Sequence, residues 1–448
     1  MTAMRVRMIL LAGFLTGIVL WISHVKRGLA EAPANAAWQT YRRVDWWILS
    51  AQCTQHRKVL LVACGPQNQL IPIEDVSPTD DRGHGLIANG VALFQKRPFE
   101  KVDMVRINVW INAVSVAVLS LVLFLCGMPW AALLCMGVGA VYGIPGPMAS
   151  ADAQATFFGE YCLALTPIPW IVQMNRPGVT RKRFVLAGAL SWAALTAAIL
   201  LREANGLVGF VCSCLLLLLM FCESRQVLKK SIVLYAFVAA MLVLSLNANT
   251  LMLSWRTRWL SLPPAHLIAS HGIAHAFHQG LGTEENPWGI NYDDENGAET
   301  VVKLNPQAYY GTPDYYREIA RLYRNILFHH PLKVGDIYWK KFKKTLGLPL
   351  RFGGISIFWY VLAVILALPF MGSRSGWSAL PLRTVSGLIM ALAIFLLQGV
   401  LIQPSAMFLY PAKFGMLMLI ITLVEAGMSR YTDSDSDSEA KPQRRRIK

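Results

Sequence analysis

Residues 107–126 read Ile107-Asn-Val-Trp-Ile-Asn-Ala-Val-Ser-Val-Ala-Val-Leu-Ser-Leu-Val-Leu-Phe-Leu-Cys126. This run contains no charged side chain, and it matches the roughly 20 apolar residues that a helix needs to cross the hydrocarbon core of a bilayer. Similar runs recur along the 448-residue chain, which is 55% hydrophobic and only 15% charged. The sequence therefore predicts an all-α polytopic membrane protein.

About ten transmembrane helices are predicted from the apolar runs. They lie near residues 8–23, 107–126, 129–144, 155–173, 184–201, 206–222, 231–248, 355–371, 384–401 and 406–426. The first run is interpreted as a signal anchor. It also has the features of a cleavable signal sequence, because Gly28-Leu29-Ala30 offers a small-residue cleavage site.

These runs divide the chain into six segments with different environments. They are the first transmembrane helix (1–24), a first extracytoplasmic segment (25–106), a bundle of about six helices (107–248), a large extracytoplasmic segment (249–353), three C-terminal transmembrane helices (354–427) and a disordered cytoplasmic tail (428–448). The tail is assigned as disordered because Asp-Ser repeats are followed by a run of basic residues.

The distribution of Lys and Arg in short loops predicts the orientation of the chain. When the spans alternate, one side receives Arg5 and Arg7, the loops 175–183 and 224–230, Arg374 and Arg383, and the tail. The short loops of the other side contain Arg202 alone. Short cytoplasmic loops are rich in Lys and Arg. Both termini are therefore predicted to be cytoplasmic, in the plasma (inner) membrane. This orientation accounts for the net charge of +16 better than nucleic-acid binding does, because no basic stripe with interleaved aromatics appears.

An acidic turn stands out in the first extracytoplasmic segment. It reads Val76-Ser-Pro-Thr-Asp-Asp-Arg-Gly-His84, followed by Gly85 to Phe94 with a helical pattern. We expect Thr79 to be the N-cap and Asp80 and Asp81 to lie in the first turn, where the positive end of the helix dipole favours carboxylates. The two acids thus have a structural explanation as well as a chemical one.

Two of the eight cysteines, Cys53 and Cys64, lie in this same polar segment. Because the segment is predicted to be on the oxidising side, a Cys53–Cys64 disulfide is expected. The other six cysteines fall in or beside spans, where they are interpreted as small buried hydrophobic residues.

The large extracytoplasmic segment contains a predicted pair of helices. Thr312-Pro313-Asp314 provides a cap, a proline and an acid at a helix start, and His329-His330-Pro331 ends that helix. In the next helix, Val334, Ile337, Phe342 and Leu346 share one side. The basic residues Lys333, Lys340, Lys341, Lys343 and Lys344 surround the rest. With Trp339 and a following span, this helix suits the plane of the membrane surface, or simply a solvated basic face beside it.

The histidines of the large segment raise the question of a metal site. His271, His275 and His278 could share a helical face, but no His-Glu-x-x-His motif and no neighbouring carboxylate ligand accompany them. We therefore expect His275 and His278 to make polar contacts lining a pocket, and we expect no metal. The absence of a Gly-x-x-x-x-Gly-Lys loop from the sequence counts against an ATP-driven pump.

Charged residues near the spans suggest a reaction site. Arg202 and Glu203 lie in a tight outer loop, Asp152 lies in another, and Lys413 falls inside the last predicted span. An ionisable residue within a span is costly and usually faces a cavity or a partner, although Lys413 could also extend to the interface. The predicted topology brings Asp80, Asp81, Asp152, Arg202 and Lys413 to one face of the membrane.

Carboxylates and cations at that boundary suit transfer of a sugar from a polyprenyl-phosphate donor. The lipid tail of such a donor stays in the bilayer while its phosphate lies at the surface. Arg or Lys could bind the phosphate and stabilise it as it leaves. A carboxylate could take the proton from the acceptor hydroxyl that attacks the anomeric carbon.

The chain resembles the GT-C superfamily of integral-membrane glycosyltransferases, in a poorly characterised bacterial branch. The resemblance rests on Asp80-Asp81-Arg82-Gly83-His84, on Asp152 and on Leu201-Arg202-Glu203. It also rests on the stretches His275-Ala-Phe-His-Gln-Gly-Leu-Gly282, Asn286-Pro-Trp-Gly-Ile-Asn-Tyr-Asp293 and Tyr310-Gly-Thr-Pro-Asp-Tyr315.

The resemblance implies an inverting glycosyltransferase acting on an envelope glycan, lipid or protein. Asp81 or Asp80 would be the base, Asp152 a second acid, and Arg202, with Lys413, a donor-phosphate ligand. Candidate pocket residues are His84, Glu203, His275 and His278. Some members of the superfamily bind a divalent cation through paired acids, but most need none, so no cofactor is expected.

The sequence departs from the pattern of the family in the position of its acidic motif. Two other functions also remain open. In many members the acidic motif follows the first span closely, whereas more than fifty residues intervene here, so Asp45 is a reserve candidate for the base. A lipid-linked-glycan flippase or transporter is the first alternative. A non-catalytic membrane assembly protein is the second.

Overall fold

The computed structural model describes residues 3–37, 42–76, 81–143, 150–175, 180–223, 228–268, 272–347 and 399–403. Its helices are α1 (Ala3–Ala36), α2 (Arg42–Arg57), α3 (Ile73–Val76), α4 (Arg82–Phe94), α5 (Lys101–Leu125), α6 (Pro129–Gly143), α7 (Phe157–Leu165), α8 (Pro167–Val172), α9 (Arg181–Leu201), α10 (Glu203–Glu223), α11 (Leu228–Leu246), α12 (Ala248–Trp259), α13 (Ile273–Leu281), α14 (Asp294–Leu304), α15 (Pro313–His329) and α16 (Pro331–Gly347). Strands β1 (Val62–Cys64) and β2 (Leu70–Pro72) pair antiparallel.

Several described helices are long and apolar enough to cross a membrane. They are Met8–Ala36, Lys101–Leu125, Ala153–Val172 and Arg181–Leu201, with Leu234–Leu246 and Ala248–Trp259 as a fifth span if this pair, bent by 58°, is one. Two apolar helices are shorter, Pro129–Val141 and Glu203–Leu218. The described residues therefore confirm a mostly helical chain with four or five helices that could span a membrane. The predicted spans at 355–371, 384–401 and 406–426 lie outside the described residues, apart from residues 399–401.

The bundle is built around the segment Ala153–Val172, which is almost entirely buried. Helices α5, α9 and α10 pack against α7, and α1 packs on the outside against α5 and α6. A Cβ added to Gly209 of α10 would lie 2.0 Å from the carbonyl oxygen of Ala164, so this close helix contact requires glycine. The outward side of α1 remains apolar and exposed, as expected for a surface that faces lipid.

The first segment predicted to be extracytoplasmic folds into a small unit against the end of this bundle. Helix α2 packs against α4 and β1, and Cys53 of α2 is disulfide-bonded to Cys64 of β1. Helix α4 begins at Arg82, so the prediction of Thr79 as its N-cap was wrong. Asp81 occupies the N-cap position but makes no capping hydrogen bond, because its carboxylate is engaged with arginine side chains.

The predicted helix pair of the large segment is confirmed. Thr312 caps α15, its hydroxyl accepting a hydrogen bond from the Tyr315 amide, and α16 follows after His330. Val334 and Ile337 are buried as expected.

The prediction for Lys341 was wrong. This residue was expected on the basic face of α16, but it is fully buried. Its Nζ donates hydrogen bonds to the carbonyls of Gly280, Leu401 and Ile402 at 2.7, 3.1 and 2.9 Å. Burial lowers the pKa of Lys341 to about 7, and the charge of Glu284 opposes that shift. The backbone carbonyls explain why a lysine occupies this position.

The two extracytoplasmic segments are joined by a buried ion pair. Arg256 of α12 donates to both carboxylate oxygens of Glu74, at 2.6 and 2.9 Å, and to the carbonyl of Leu61 at 2.8 Å. Both charged residues are almost fully buried. Loss of one partner would therefore leave a charge without its compensating ion.

We predict that Arg256→Met destabilises the protein by about 3–5 kcal/mol, because Glu74 would stay buried without its cation. The double variant Arg256→Met, Glu74→Leu should regain part of this loss. Thermal unfolding of the detergent-solubilised protein measures both effects. Equal stability of the single variant and the wild type would show that the pair does not join the segments.

Candidate functional site

Arg43 of α2 connects the two acids that the sequence singled out. Its Nε and Nη2 donate to the carboxylate of Asp152 at 3.0 and 2.6 Å, and its Nη1 donates to Asp81 Oδ2 at 3.1 Å. The side chain of Asp81 has no exposed surface, and that of Asp152 is 6% exposed. A guanidinium presents its donors in a rigid planar fork, so one side chain can fix both carboxylates.

Arg202 approaches the same cluster from the end of α9. Its Nη1 lies 3.8 Å from Asp81 Oδ1, the oxygen that Arg43 does not contact. The guanidinium also lies over the ring of Phe157, 4.6 Å from its centroid. Asp81 is thus held between two arginines that are far apart in the sequence.

Local packing explains why these side chains meet. A Cβ added to Gly83 would lie 2.7 Å from the carbonyl carbon of Leu200, so the glycine lets the start of α4 touch the end of α9. This contact brings Asp81 and Arg202 together. Asp152 is fixed separately, because its Oδ1 caps the following 3₁₀ turn by accepting from the Gln154 amide at 3.0 Å.

A buried polar network extends inward from this cluster. His84 Nε2 hydrogen-bonds the hydroxyl of Thr156 at 2.9 Å, and that hydroxyl lies 2.6 Å from Glu160 Oε1. Asn205 donates to the other oxygen of Glu160 and accepts from the hydroxyl of Tyr161 at 2.7 Å. Carboxylate, amide and hydroxyl groups are therefore linked from the first extracytoplasmic segment into the helix bundle.

His84 is held in place by aromatic stacking as well. Its ring is parallel to that of Trp47, with centroids 5.0 Å apart and an interplanar angle of 12°. Burial lowers the pKa of His84 to about 4, although the charges of Asp81 and Asp152 act in the opposite direction. The ring is therefore neutral at physiological pH, as a donor or acceptor in the network.

Four predicted site residues, Asp81, Asp152, Arg202 and His84, are brought together by the fold. Glu203 lies next to Arg202 as the first residue of α10. Asp80 and Lys413 lie outside the described residues, as does His271.

His275 and His278 are located elsewhere, in α13. His275 Nδ1 hydrogen-bonds the hydroxyl of Tyr315 at 2.8 Å, and its Nε2 lies 3.2 Å from Asp294 Oδ1. Burial lowers the pKa of His278 to about 4, and the neighbouring His275 adds to this shift. Both rings are buried within the large segment, and their role in lining a ligand pocket stays a prediction.

Sequence analysis missed two residues of the cluster, Arg43 and Glu160. Arg43 precedes Asp45 by two positions. The sequence analysis singled out Asp45 from this stretch and not the neighbouring arginine. Glu160 lies within the predicted span 155–173 and is fully buried. An acid inside a span is by default a candidate functional residue, so this signal was present in the sequence.

Asp45 lies on another side of α2 from Arg43. Its side chain is 58% exposed, and Oδ1 lies 3.9 Å from Lys101 Nζ. Lys101, with Arg97, Arg106 and the end of α1, lines a cavity of about 500 Å³. Asp45 is thus placed near this cavity and not in the arginine-bridged cluster.

Among the residues that the structure describes, no three His, Cys, Asp or Glu side chains are grouped so as to hold a metal ion. Comparison of the chain with protein-family models, with curated proteins and with solved structures gives no match. The interpretation of the cluster therefore depends on its own geometry and on the residues quoted above.

We predict that His84 makes folding sensitive to acid. In the unfolded chain its ring binds a proton near its ordinary pKa of 6.5, whereas in the folded chain it stays neutral down to about pH 4. Between these values the unfolded state binds more protons, so stability falls as the pH drops. The loss from this group is on the order of 3 kcal/mol by pH 4.

The measurement is the midpoint of thermal unfolding at pH 7 and pH 4.5. His84→Gln should lose less stability on acidification than the wild type does. His56→Gln is the matched control, because His56 is exposed in the folded protein. The same pH dependence in the wild type and in His84→Gln would contradict the prediction.

Proposed function

We propose that this protein is an inverting membrane glycosyltransferase of the GT-C type. It would transfer a hexose or pentose from a polyprenyl-phosphate donor to an envelope glycan, lipid or protein on the extracytoplasmic side. The observation that carries the proposal is the convergence of Asp81 and Asp152 with Arg43 and Arg202 at one end of a helical membrane bundle.

In the proposed reaction, Asp81 is the general base. The acceptor hydroxyl attacks the anomeric carbon and gives its proton to Asp81 Oδ1, the oxygen that does not bond Arg43. As the new glycosidic bond forms, the bond between the anomeric carbon and the phosphate oxygen breaks. The electron pair leaves with the polyprenyl phosphate, and the configuration at carbon is inverted.

Arg202 is the proposed ligand of the donor phosphate. Its guanidinium is close to Asp81 and would stabilise charge as the phosphate leaves. Arg43 would hold the Asp81 carboxylate in position, because its own guanidinium is fixed by two hydrogen bonds to Asp152. Because the Asp81 carboxylate is buried, the proposed reaction requires a local rearrangement that gives the acceptor access to Oδ1. Catalytic groups often reach their working geometry only with substrate bound.

The proposal includes the finer topology: about ten spans in the plasma membrane, with both termini cytoplasmic. The positions of the cluster residues support one part of it, the placement of Asp152 and Arg202 on the same side. Asp152 precedes one candidate span and Arg202 directly follows another, so alternating spans bring both to the same side. Lys413 is retained as a second phosphate ligand, and Asp80 as an alternative base. The proposed step needs no metal, since guanidinium groups supply the positive charge.

We predict that Asp81→Asn lowers transfer by at least 100-fold, because general-base catalysis contributes about 10²–10⁴-fold. The assay follows release of polyprenyl phosphate from a panel of synthetic polyprenyl-phosphate hexoses and pentoses in membranes that contain the full-length protein and the native acceptors. Asp81→Glu should keep more activity than Asp81→Asn. Glu299→Gln is the control, since this acid is exposed on α14.

Two outcomes would decide against Asp81. Full activity in Asp81→Asn and in Asp80→Asn would remove the acidic turn as the source of the base. Loss of activity in Asp45→Asn alone would move the base to the reserve candidate beside Lys101. Normal yield and elution of each variant must accompany the result, because buried Asp81 also contributes to folding.

A transporter of lipid-linked glycans is the second candidate, and two observations favour it. Glu160 is buried within a candidate span, and α11 and α12 form a bent helix pair. Buried acids and broken helices are common in transporters. Movement of a labelled lipid-linked sugar across proteoliposomes, with no new glycosidic bond, would favour this candidate. No effect of Asp81→Asn on transfer or transport would favour an assembly protein.

A further inference from the structure

Two helices of the large segment each carry a stripe of exposed leucine and tryptophan side chains. On α12, Leu251, Trp255 and Trp259 recur at every fourth position, and Trp259 is 73% exposed. On α16, Leu332 and Trp339 are separated by two turns and are 88% and 57% exposed. We call these the α12 stripe and the α16 stripe. Neither is explained by the proposed chemistry.

Each stripe lies on a different side of its helix from the residues that attach the helix: it is opposite them on α16, and about a quarter turn round from Arg256 on α12. On α12, Arg256 bonds Glu74 and the side chains of Met252 and Leu253 pack against the first extracytoplasmic segment. On α16, Val334, Ile337 and Lys341 face the protein interior. The stripes therefore face away from the protein on two helices that already have a buried side.

Both helices are at the ends of predicted spans. Helix α12 follows α11, which contains most of the predicted span 231–248, after Asn247 alone. The Lys341 ammonium of α16 bonds the carbonyls of Leu401 and Ile402, at the end of the predicted span 384–401. This contact fixes α16 at the level where a span leaves the bilayer.

The side chains around the stripes have the chemistry of a membrane interface. Trp is enriched where apolar tails meet polar head groups, because its ring is amphipathic. Trp339 stacks on Phe342, and the ammonium of Lys343 lies 5.9 Å from the Trp339 ring centroid. Of the lysines of α16, Lys340 pairs with Asp336 and Lys344 with Glu284, and Lys341 is buried. Lys333 and Lys343 are exposed, which favours contact with anionic phosphates.

We infer that the α12 and α16 stripes are inserted into the head-group region of the outer leaflet. The large segment then rests on the lipid surface at both of its ends. The inference does not depend on the glycosyltransferase proposal, because it concerns only how the segment sits on the bilayer. A transporter or an assembly protein with this fold would bind lipid in the same way.

The test uses single nitroxide labels on the full-length protein in nanodiscs of phosphatidylcholine and phosphatidylglycerol. Labels are attached through Trp255→Cys and Trp339→Cys, with Lys303→Cys and Arg321→Cys as aqueous controls on exposed parts of α14 and α15. The wild type, treated in the same way, gives the background from native cysteines. Collision of the label with oxygen, which concentrates in lipid, is compared with collision with a water-soluble nickel complex.

At positions 255 and 339 we expect the label to collide several-fold more often with oxygen than with the nickel complex. At positions 303 and 321 we expect collisions with the nickel complex to be the more frequent. Leu251→Cys and Leu332→Cys are second reporters on the same stripes, in case a tryptophan substitution disturbs folding. Nickel accessibility at the stripes equal to that of the controls would overturn the inference, since the stripes would then face water. Exclusion of both reagents would also overturn it, because protein would cover the stripes.

Discussion

The guanidinium of Arg43 is the contact on which the candidate site depends. It binds Asp152 through two nitrogens and Asp81 through the third, and all three side chains are largely buried. Burying carboxylates is costly unless each is paired and hydrogen-bonded. Arg43 satisfies this requirement for two acids at once, and Arg202 contributes a second positive charge near Asp81. A buried cluster of this kind defines one geometry, which a reaction site requires.

The arrangement also explains why the first extracytoplasmic segment is attached to the bundle where it is. The close contact of Gly83 with the end of α9 sets the position of α4, and the His84 network continues that attachment into the helices. The large segment is attached in turn by Arg256 and by Lys341. The two attachments of the large segment each use a buried basic side chain with partners in another part of the chain.

Much of this organisation could be predicted from local sequence. Apolar runs identified the described spans, the Thr312-Pro313-Asp314 start located α15, and loop charges placed Asp152 and Arg202 on the same side. These signals are local, because a helix or a cap depends on residues a few positions apart. The association of Asp81 with Arg202 was expected from topology alone. The 3.8 Å separation follows only from the packing of α4 on α9.

Other features could not be predicted in this way. Arg43 belongs to the cluster because α2 folds back over α4, a contact that no spacing in the sequence reveals. Lys341 has the spacing of a surface lysine, and its burial follows from carbonyls located far away in the chain. Asp81 was predicted to lie in the first turn of α4, but it occupies the N-cap position and its carboxylate is engaged with arginines. In each case a long-range ionic contact overrides the local pattern.

The central claim is that Arg43 joins Asp81 to Asp152 at the outer boundary of the bilayer. A cryo-electron microscopy map of the full-length protein in lipid nanodiscs tests it most directly, because side chains and the lipid belt appear together. The account predicts that the Arg43 guanidinium lies within hydrogen-bonding distance of both carboxylates, at the level of the outer head groups. A map with the two acids apart, or with the cluster on the cytoplasmic side, would contradict it.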